Sequence, residues 1–284
     1  MAGTARQVHL GRKLRELRDA AGLSLDEAAK HVERSRSTVG HWERAHSRVS
    51  AQDLAALLKL YGASEEMADQ LQQLRRDSHQ RGWWQSYKLP GYLEPFVGFE
   101  AEASEAFHFE LGVIPGLLQT AEYARAVHEV GRLVLSEDEL QRGIDVRLKR
   151  QERLQPGGGL TLHTVIAEEA LRRTVGSREV MKEQLDQLLS AAGRPNVKLQ
   201  LLPLDSGAHV ASSGPITVLR FADPAHGDVA FSDTPLGGHV IDDLRDVAEL
   251  SRLFSALQKQ ALPLRESKKL LSSIAEAYGE GAGP

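Results

Sequence analysis

The stretch LSLDEAAKHVERSRSTVGHWE sets the tightest limit on what this chain can fold into, because it holds two short helical patterns joined by a tight turn, the spacing of a helix-turn-helix. Ser24 can accept from the free N–H groups of the first of these helices while Glu27, three residues on, returns the bond, and Leu25, Ala28, Ala29 and Val32 face inward. Ser35 caps the second, in which Val39 and Trp42 sit three apart and bury against the preceding helices. Upstream, Leu10 to Ala21 reads as a helix with Leu10, Leu14 and Leu17 on one stripe and Arg12, Lys13, Arg15 and Arg18 outside it, ended by Gly22. Downstream, Ser50 with Asp53 opens SAQDLAALLKLYG, whose Leu54, Leu57, Leu58 and Tyr61 close the core, and Ser64 caps a fifth helix running towards His79. Residues 1–80 are therefore expected to form a five-helix domain.

The side of the third helix opposite Val39 and Trp42 carries Arg36, Ser37, Gly40 and His41, a face that can enter a major groove. Arg36 in the first turn can donate bidentately to guanine O6 and N7, a contact worth about 1–3 kcal/mol of discrimination. Gly40 costs a helix about 1 kcal/mol relative to alanine, and its bare backbone is expected to let the groove floor or a phosphate come close. Residues 10–62 resemble the DNA-binding domain of the XRE (lambda-repressor-like) family, most closely over SRSTVGHWERAHSRVS. The resemblance implies that Arg36, Ser37 and His41 lie where bases are read and Thr38 where phosphate is often touched, with Arg44 and Arg48 completing the DNA-binding set. His41 and Trp42 replace a more usual arginine or aliphatic pair, so the base sequence that is read does not transfer.

Charge agrees once it is divided. The whole chain is formally −4, but residues 1–80 carry 13 Lys+Arg against 11 Asp+Glu, net +2, leaving 22 against 28, net −6, for the remainder. So modest a basicity implies few phosphate contacts per subunit, and hence two subunits on one duplex, a homodimer. The absence of cysteine removes disulfides, thiol catalysis and thiolate zinc sites. No apolar run approaches a membrane span and the first residues show no signal-peptide pattern, so a cytoplasmic, nucleoid-associated protein without a membrane partner is expected.

In QRGWWQSYKLPGYLEP, Trp83, Trp84 and Tyr87, followed by Pro90, Gly91 and Pro95, interrupt the helical period. Residues 81–95 read as an aromatic hinge, either ordinary interdomain core or a surface that passes a signal. Residues 96–284 read as a second domain. It opens with a helix from about Phe96, a Pro115-Gly116 turn, a helix from about Thr120 and another capped by Ser136 with Glu139. The period then becomes strand-like. LTLHTVI, VKLQLLPL, GPITVLRF and DVAFSD read as strands, with helices EEALRRTV and REVMKEQLDQLLSAAG between the first two and a last helical region over Asp242 to Ala261, followed by one more helix and a glycine-rich tail. The fold class expected is α+β and mainly α, a five-helix front domain followed by helices and a mixed α/β sheet.

GVIPGLLQTAEYARAV, RLKRQERL, VIAEEALRR, QLDQLL, NVKLQLLPL and GAHVASSGPITVLRF resemble the domain of unknown function found behind XRE domains in actinobacterial regulators of the WhiJ and Scr type. That resemblance implies a regulator, a repressor in this reading, whose second domain receives a ligand or a small BldB-like protein. The alternative is an antitoxin-like module that neutralises such a partner, with DNA binding as autoregulation. No enzyme is expected, since the chain lacks a GxSxG elbow, a Walker phosphate loop, a GxGxxG after a strand and an HExxH pair. The three glycines after Pro156 precede a strand and read as a turn. His209, His226 and His239 alternate with Asp205, Asp223, Asp228 and Asp233 as solvated turns, so no metal or other cofactor is expected.

Two features of the second domain could carry binding. Glu168 and Glu169 sit where a strand meets a helix, and either favour that helix's N-terminus or, with Glu169 joined by Arg172 or Arg173, line a pocket for a polar ligand. Trp83 and Trp84 are the other candidates for partner contact. Arg142, Arg147, Lys149, Arg150 and Arg153 alternate with acids and read either as a solvated helix face or as a docking surface for an acidic partner.

Overall fold

The computed structural model describes residues 5–78, 82–131, 136–223, 227–234 and 237–279, so His79, His226 and the tail from Gly281 lie outside the described residues. The chain divides into two compact units, Met1–Glu102 and Ala103–Pro284.

The first unit contains α1 (Ala5–Ala20), α2 (Leu25–His31), α3 (Arg36–Glu43), α4 (Ala51–Leu60), α5 (Glu65–Asp77) and α6 (Leu93–Glu102). Ser24, Ser35, Ser50 and Ser64 all cap, each accepting from the backbone N–H three residues on. Gly22 turns the chain out of α1 at φ 69°, a conformation cheap only for glycine. Leu10, Leu14, Ala28, Val39, Trp42, Leu54, Leu57 and Leu58 form one core. Arg18, expected outside the α1 stripe, is instead buried: its guanidinium reaches Glu43 at the end of α3, so the charge taken from water is paired.

The aromatic segment is packed. Trp83–Tyr87 forms a short 3₁₀ turn, and Trp84 is buried against Gly98 of α6, where an added Cβ would lie 3.2 Å from its ring. Trp83 meets both Trp84 and Tyr87 edge-on, at 5.9 and 5.7 Å between ring centres. The first compact unit ends at Glu102, the last residue of α6, on which Trp84 packs.

The second unit is built on β1 (Glu105–Glu110), β2 (Thr161–Ala167), β3 (Val197–Leu202), β4 (Ile216–Arg220), β5 (Val229–Thr234) and β6 (Gly237–Ile241), in spatial order β3-β2-β1-β4-β5-β6. β1, β2 and β3 run parallel, joined through α7 (Ala121–Gly131) with α8 (Glu137–Gln151) and through α9 (Glu168–Arg172) with α10 (Arg178–Ala191). β4, β5 and β6 are antiparallel to their neighbours, which makes the sheet mixed. β1 corrects the expectation of one long helix from Phe96. The helix stops at Glu102 and the chain re-enters as an inner strand, with Ala106, Phe107, His108 and Phe109 all buried. A strand covered on both faces loses the apolar-polar alternation by which strands are recognised. β6, with two glycines and little apolar content, likewise escaped the sequence reading.

One sheet face packs on α11 (Leu244–Gln260), where Phe107, Phe109, Val165 and Val218 meet Phe254 and Leu257. The outer edge of β3 is closed by the approach to α12 (Leu264–Gly279). Leu262 N–H donates to the Leu201 carbonyl and Leu201 N–H to Ser267 Oγ, both at 2.9 Å, so that strand offers no open ladder there.

Candidate nucleic-acid interface

α2 and α3 are set at their angle by local chemistry. The Ser24 hydroxyl accepts from Glu27 N–H at 3.2 Å while Ser24 N–H donates to Glu27 Oε2 at 2.8 Å, and Glu33 makes the turn at φ 53°. Ser35 Oγ accepts from Thr38 N–H at 3.1 Å and lies 2.8 Å from both Ser37 Oγ and Thr38 Oγ1. Three hydroxyls thus gather at the N-terminus of α3, where the unpaired N–H groups and the helix dipole favour an anion.

Val39 and Trp42 turn into the core, leaving Arg36, Ser37 and His41 exposed and Thr38 half-buried. Arg44 and Arg48 beyond the helix are exposed as well. Gly40 is the exception. It is buried, and a Cβ there would lie 3.2 Å from the Arg44 guanidinium, so Arg44 covers the place where a groove floor was expected to approach. Arg36 Nη1 lies 3.4 Å from Asp26 Oδ2 on α2, with both side chains about two-thirds exposed (67% and 66%). A pair so exposed is worth less than about 1 kcal/mol, so a guanine edge can compete for Arg36.

The candidates in the second unit do not converge as expected. Arg172 pairs with buried Glu168, not Glu169, at 2.6 Å, and the other Glu168 oxygen accepts from Leu204 N–H at 2.9 Å, tying the end of β2 to the turn after β3. Glu169 and Arg172 on α9 and Arg173 just after it are exposed. The basic segment of α8 and the 3₁₀ turn after it, Glu152–Leu154, is not a uniform solvated face. Arg150 is buried, Arg147 donates to Gln119 Oε1, and Arg153 donates to the carbonyls of Gly158 and Ala103, the latter at 2.5 Å. Long guanidinium side chains reach past a helix surface to bare carbonyls, which a helical-wheel reading does not register.

Sequence reasoning also passed over Glu110, at the carboxyl end of β1. Burial and, after it, Asp233 push its carboxyl from 4.5 up to about 7, with Arg147 opposing. A raised acid favours folding below its unfolded value and loses that advantage as pH rises through its folded value. Glu110→Gln is therefore expected to leave stability nearly unchanged near pH 4 and to raise it by about 1–3 kcal/mol at pH 8, the upper end following from the displacement of the acid. Urea midpoints of parent and variant at the two pH values check this; an equal difference at both would remove the ionisation as its cause.

A family model described as a helix-turn-helix domain matches residues 9–71. A second, described as a domain of unknown function, DUF5753, matches residues 93–273, beginning at the first residue of α6. No curated protein and no solved structure matches.

Proposed function

The chain belongs to the DUF5753 family and carries a helix-turn-helix domain ahead of it, and from that premise we propose that it is a dimeric, sequence-specific repressor whose second unit receives a ligand or a small protein partner. The observation that supports this reading most directly is the exposed face of α3, where Arg36, Ser37 and His41 stand opposite Val39 and Trp42 in the core. Two subunits would place their recognition helices about 34–36 Å apart on one side of the duplex, and a partner that favours another spacing would release the operator. By linkage, DNA would weaken that partner's binding by the same factor. A repressor whose second domain receives a ligand or small protein is what the resemblance to regulators of the WhiJ and Scr type implies, and it asks for no catalytic step.

Fluorescence anisotropy tests it, with the full chain against the DNA upstream of its own gene and against a scrambled duplex, at two salt concentrations. Arg36→Ala is expected to lose about 1–3 kcal/mol on the specific site and almost nothing on scrambled DNA. Equal losses on both duplexes would make Arg36 a phosphate contact. Weak and equal binding of the parent protein to both duplexes would refute sequence-specific recognition by the chain alone.

A further inference from the structure

The second unit holds a cleft that recognition of DNA does not use. Phe254 and Leu257 of α11 turn to the sheet, while Ser251 and Ser255, one turn apart, present short side chains near the residues at the rim of the sheet, Glu105 of β1, His163 of β2 and Arg220 of β4. The gap is a cavity of about 220 Å³, with Phe107, Phe254 and Gln258 completing its wall. It shares Arg220, Ser251 and Ser255 with a wider groove of about 570 Å³ that runs outward past Arg252 and Lys259.

The inner wall is stacked in place. His163 lies flat on Phe107 at 4.6 Å and 18°, the Arg220 guanidinium carbon sits 4.4 Å from the centre of the same ring, and Phe254 meets that ring edge-on at 5.5 Å. His163 Nε2 is 3.2 Å from Glu105 Oε1. Burial first, and then the charge of Lys198, hold the imidazole below its ordinary value, so near neutral pH it can both donate and accept. Carboxylate, imidazole and the Gln258 amide together suit hydroxyl groups.

The mouth has the opposite character. Arg220, Arg252 and Lys259 line it together with Ser251 and with Ser255, whose hydroxyl donates to the Ser251 carbonyl at 2.9 Å. Asp228 lies 3.1 Å from Arg220 and Glu249 2.7 Å from Arg252, while Lys259 has no ion-pair partner among the described residues. Lys259 is thus the cation of this mouth left over for an anion, in a stretch, residues 81–284, that carries 22 Lys+Arg against 28 Asp+Glu. Guanidinium forks with an ammonium and hydroxyl donors are the chemistry of phosphate recognition.

We propose that this cleft binds a small sugar phosphate, with the phosphate on Arg220, Lys259 and the Ser251 hydroxyl and the sugar hydroxyls on Glu105, His163 and Gln258. That such a ligand alters operator binding rests on the function proposed above; the binding itself does not. Titration calorimetry of the full chain with ribose 5-phosphate and glucose 6-phosphate tests it, with ribose and glucose as controls. At least one phosphate ester is expected to bind and neither free sugar, with affinity at least tenfold weaker in Arg220→Gln and several-fold weaker in Lys259→Gln. The Lys259 variant alters only an exposed side chain and so separates a lost contact from a lost fold. No binding of either ester by the folded parent, or binding that both substitutions leave unchanged, overturns the site. Repeating the operator anisotropy with the bound ester keeps the two readings apart: ligand binding without a change in DNA affinity supports the cleft and refutes the sensing role, and the calorimetry stands whether or not the chain binds DNA.

Discussion

Arg18→Met is expected to cost the first unit about 3–5 kcal/mol, the loss typical of removing one partner from a buried ion pair. Arg18 Nε donates to Glu43 Oε1 at 2.6 Å and Nη2 to Oε2 at 2.9 Å, and the two side chains are only 9% and 5% exposed. Nη1 adds bonds to the Leu23 carbonyl at 2.8 Å and to Asp19 at 2.6 Å. Glu43 ends α3, where the dipole already disfavours negative charge, so without Arg18 a buried carboxylate would face the wrong end of a helix. Nearby Tyr61 feels that charge: burial first and Glu43 second raise its phenol, whose buried hydroxyl has no hydrogen-bond partner among the described residues. The Arg18→Met, Glu43→Leu double variant should recover much of the loss, since no charge is then stranded, though the Leu23 carbonyl still loses its donor. Urea unfolding of the two single variants and the double gives the coupling energy. A double variant no more stable than Arg18→Met would show that the guanidinium acts through Leu23 and Asp19 instead.

The contrast between Arg18 and the serine caps shows what this sequence discloses. A cap is a bond across three residues, so Ser24, Ser35, Ser50 and Ser64 announced four helix starts before any tertiary contact was known. The face of α3 was legible except at Gly40, because Val39 and Trp42 fix by helical spacing which side must be buried and leave Arg36, Ser37 and His41 exposed. Arg18 and Glu43 are 25 residues apart and each reads as an ordinary surface charge until α1 and α3 are packed together. β1 failed for a related reason: its partners β2 and β4 lie far along the chain, and burial on both faces erased the local period. The cleft beside α11 has no motif at all, since its lining is collected from three strands and a helix.

Gly11→Ala should show the same dependence on packing from the backbone side. In the interior of an exposed helix this change would gain about 1 kcal/mol, because alanine loses less backbone entropy than glycine. In α1 the added Cβ would lie 2.6 Å from the carbonyl oxygens of both Trp42 and Glu43, well inside contact distance, and those atoms belong to the last turn of α3. Neither helix backbone can yield locally, so relief requires α3 to move off α1 as a body, against the buried Trp42 and the Arg18–Glu43 bridge. Overpacking of this kind typically costs about 1–3 kcal/mol, and the rigidity of both surfaces places Gly11→Ala at the upper end even after the gain in helix propensity. Because the displaced element is the one that carries Arg36, Ser37 and His41, affinity for the specific duplex should fall under conditions where the variant remains folded, while the weaker, charge-driven binding to scrambled DNA persists. Thermal unfolding followed with the anisotropy series reads both effects. A variant as stable as the parent would mean that α1 and α3 do not meet at Gly11, whereas a stability loss without any change in specific affinity would mean that α3 holds its position and the strain is absorbed elsewhere in the helical core.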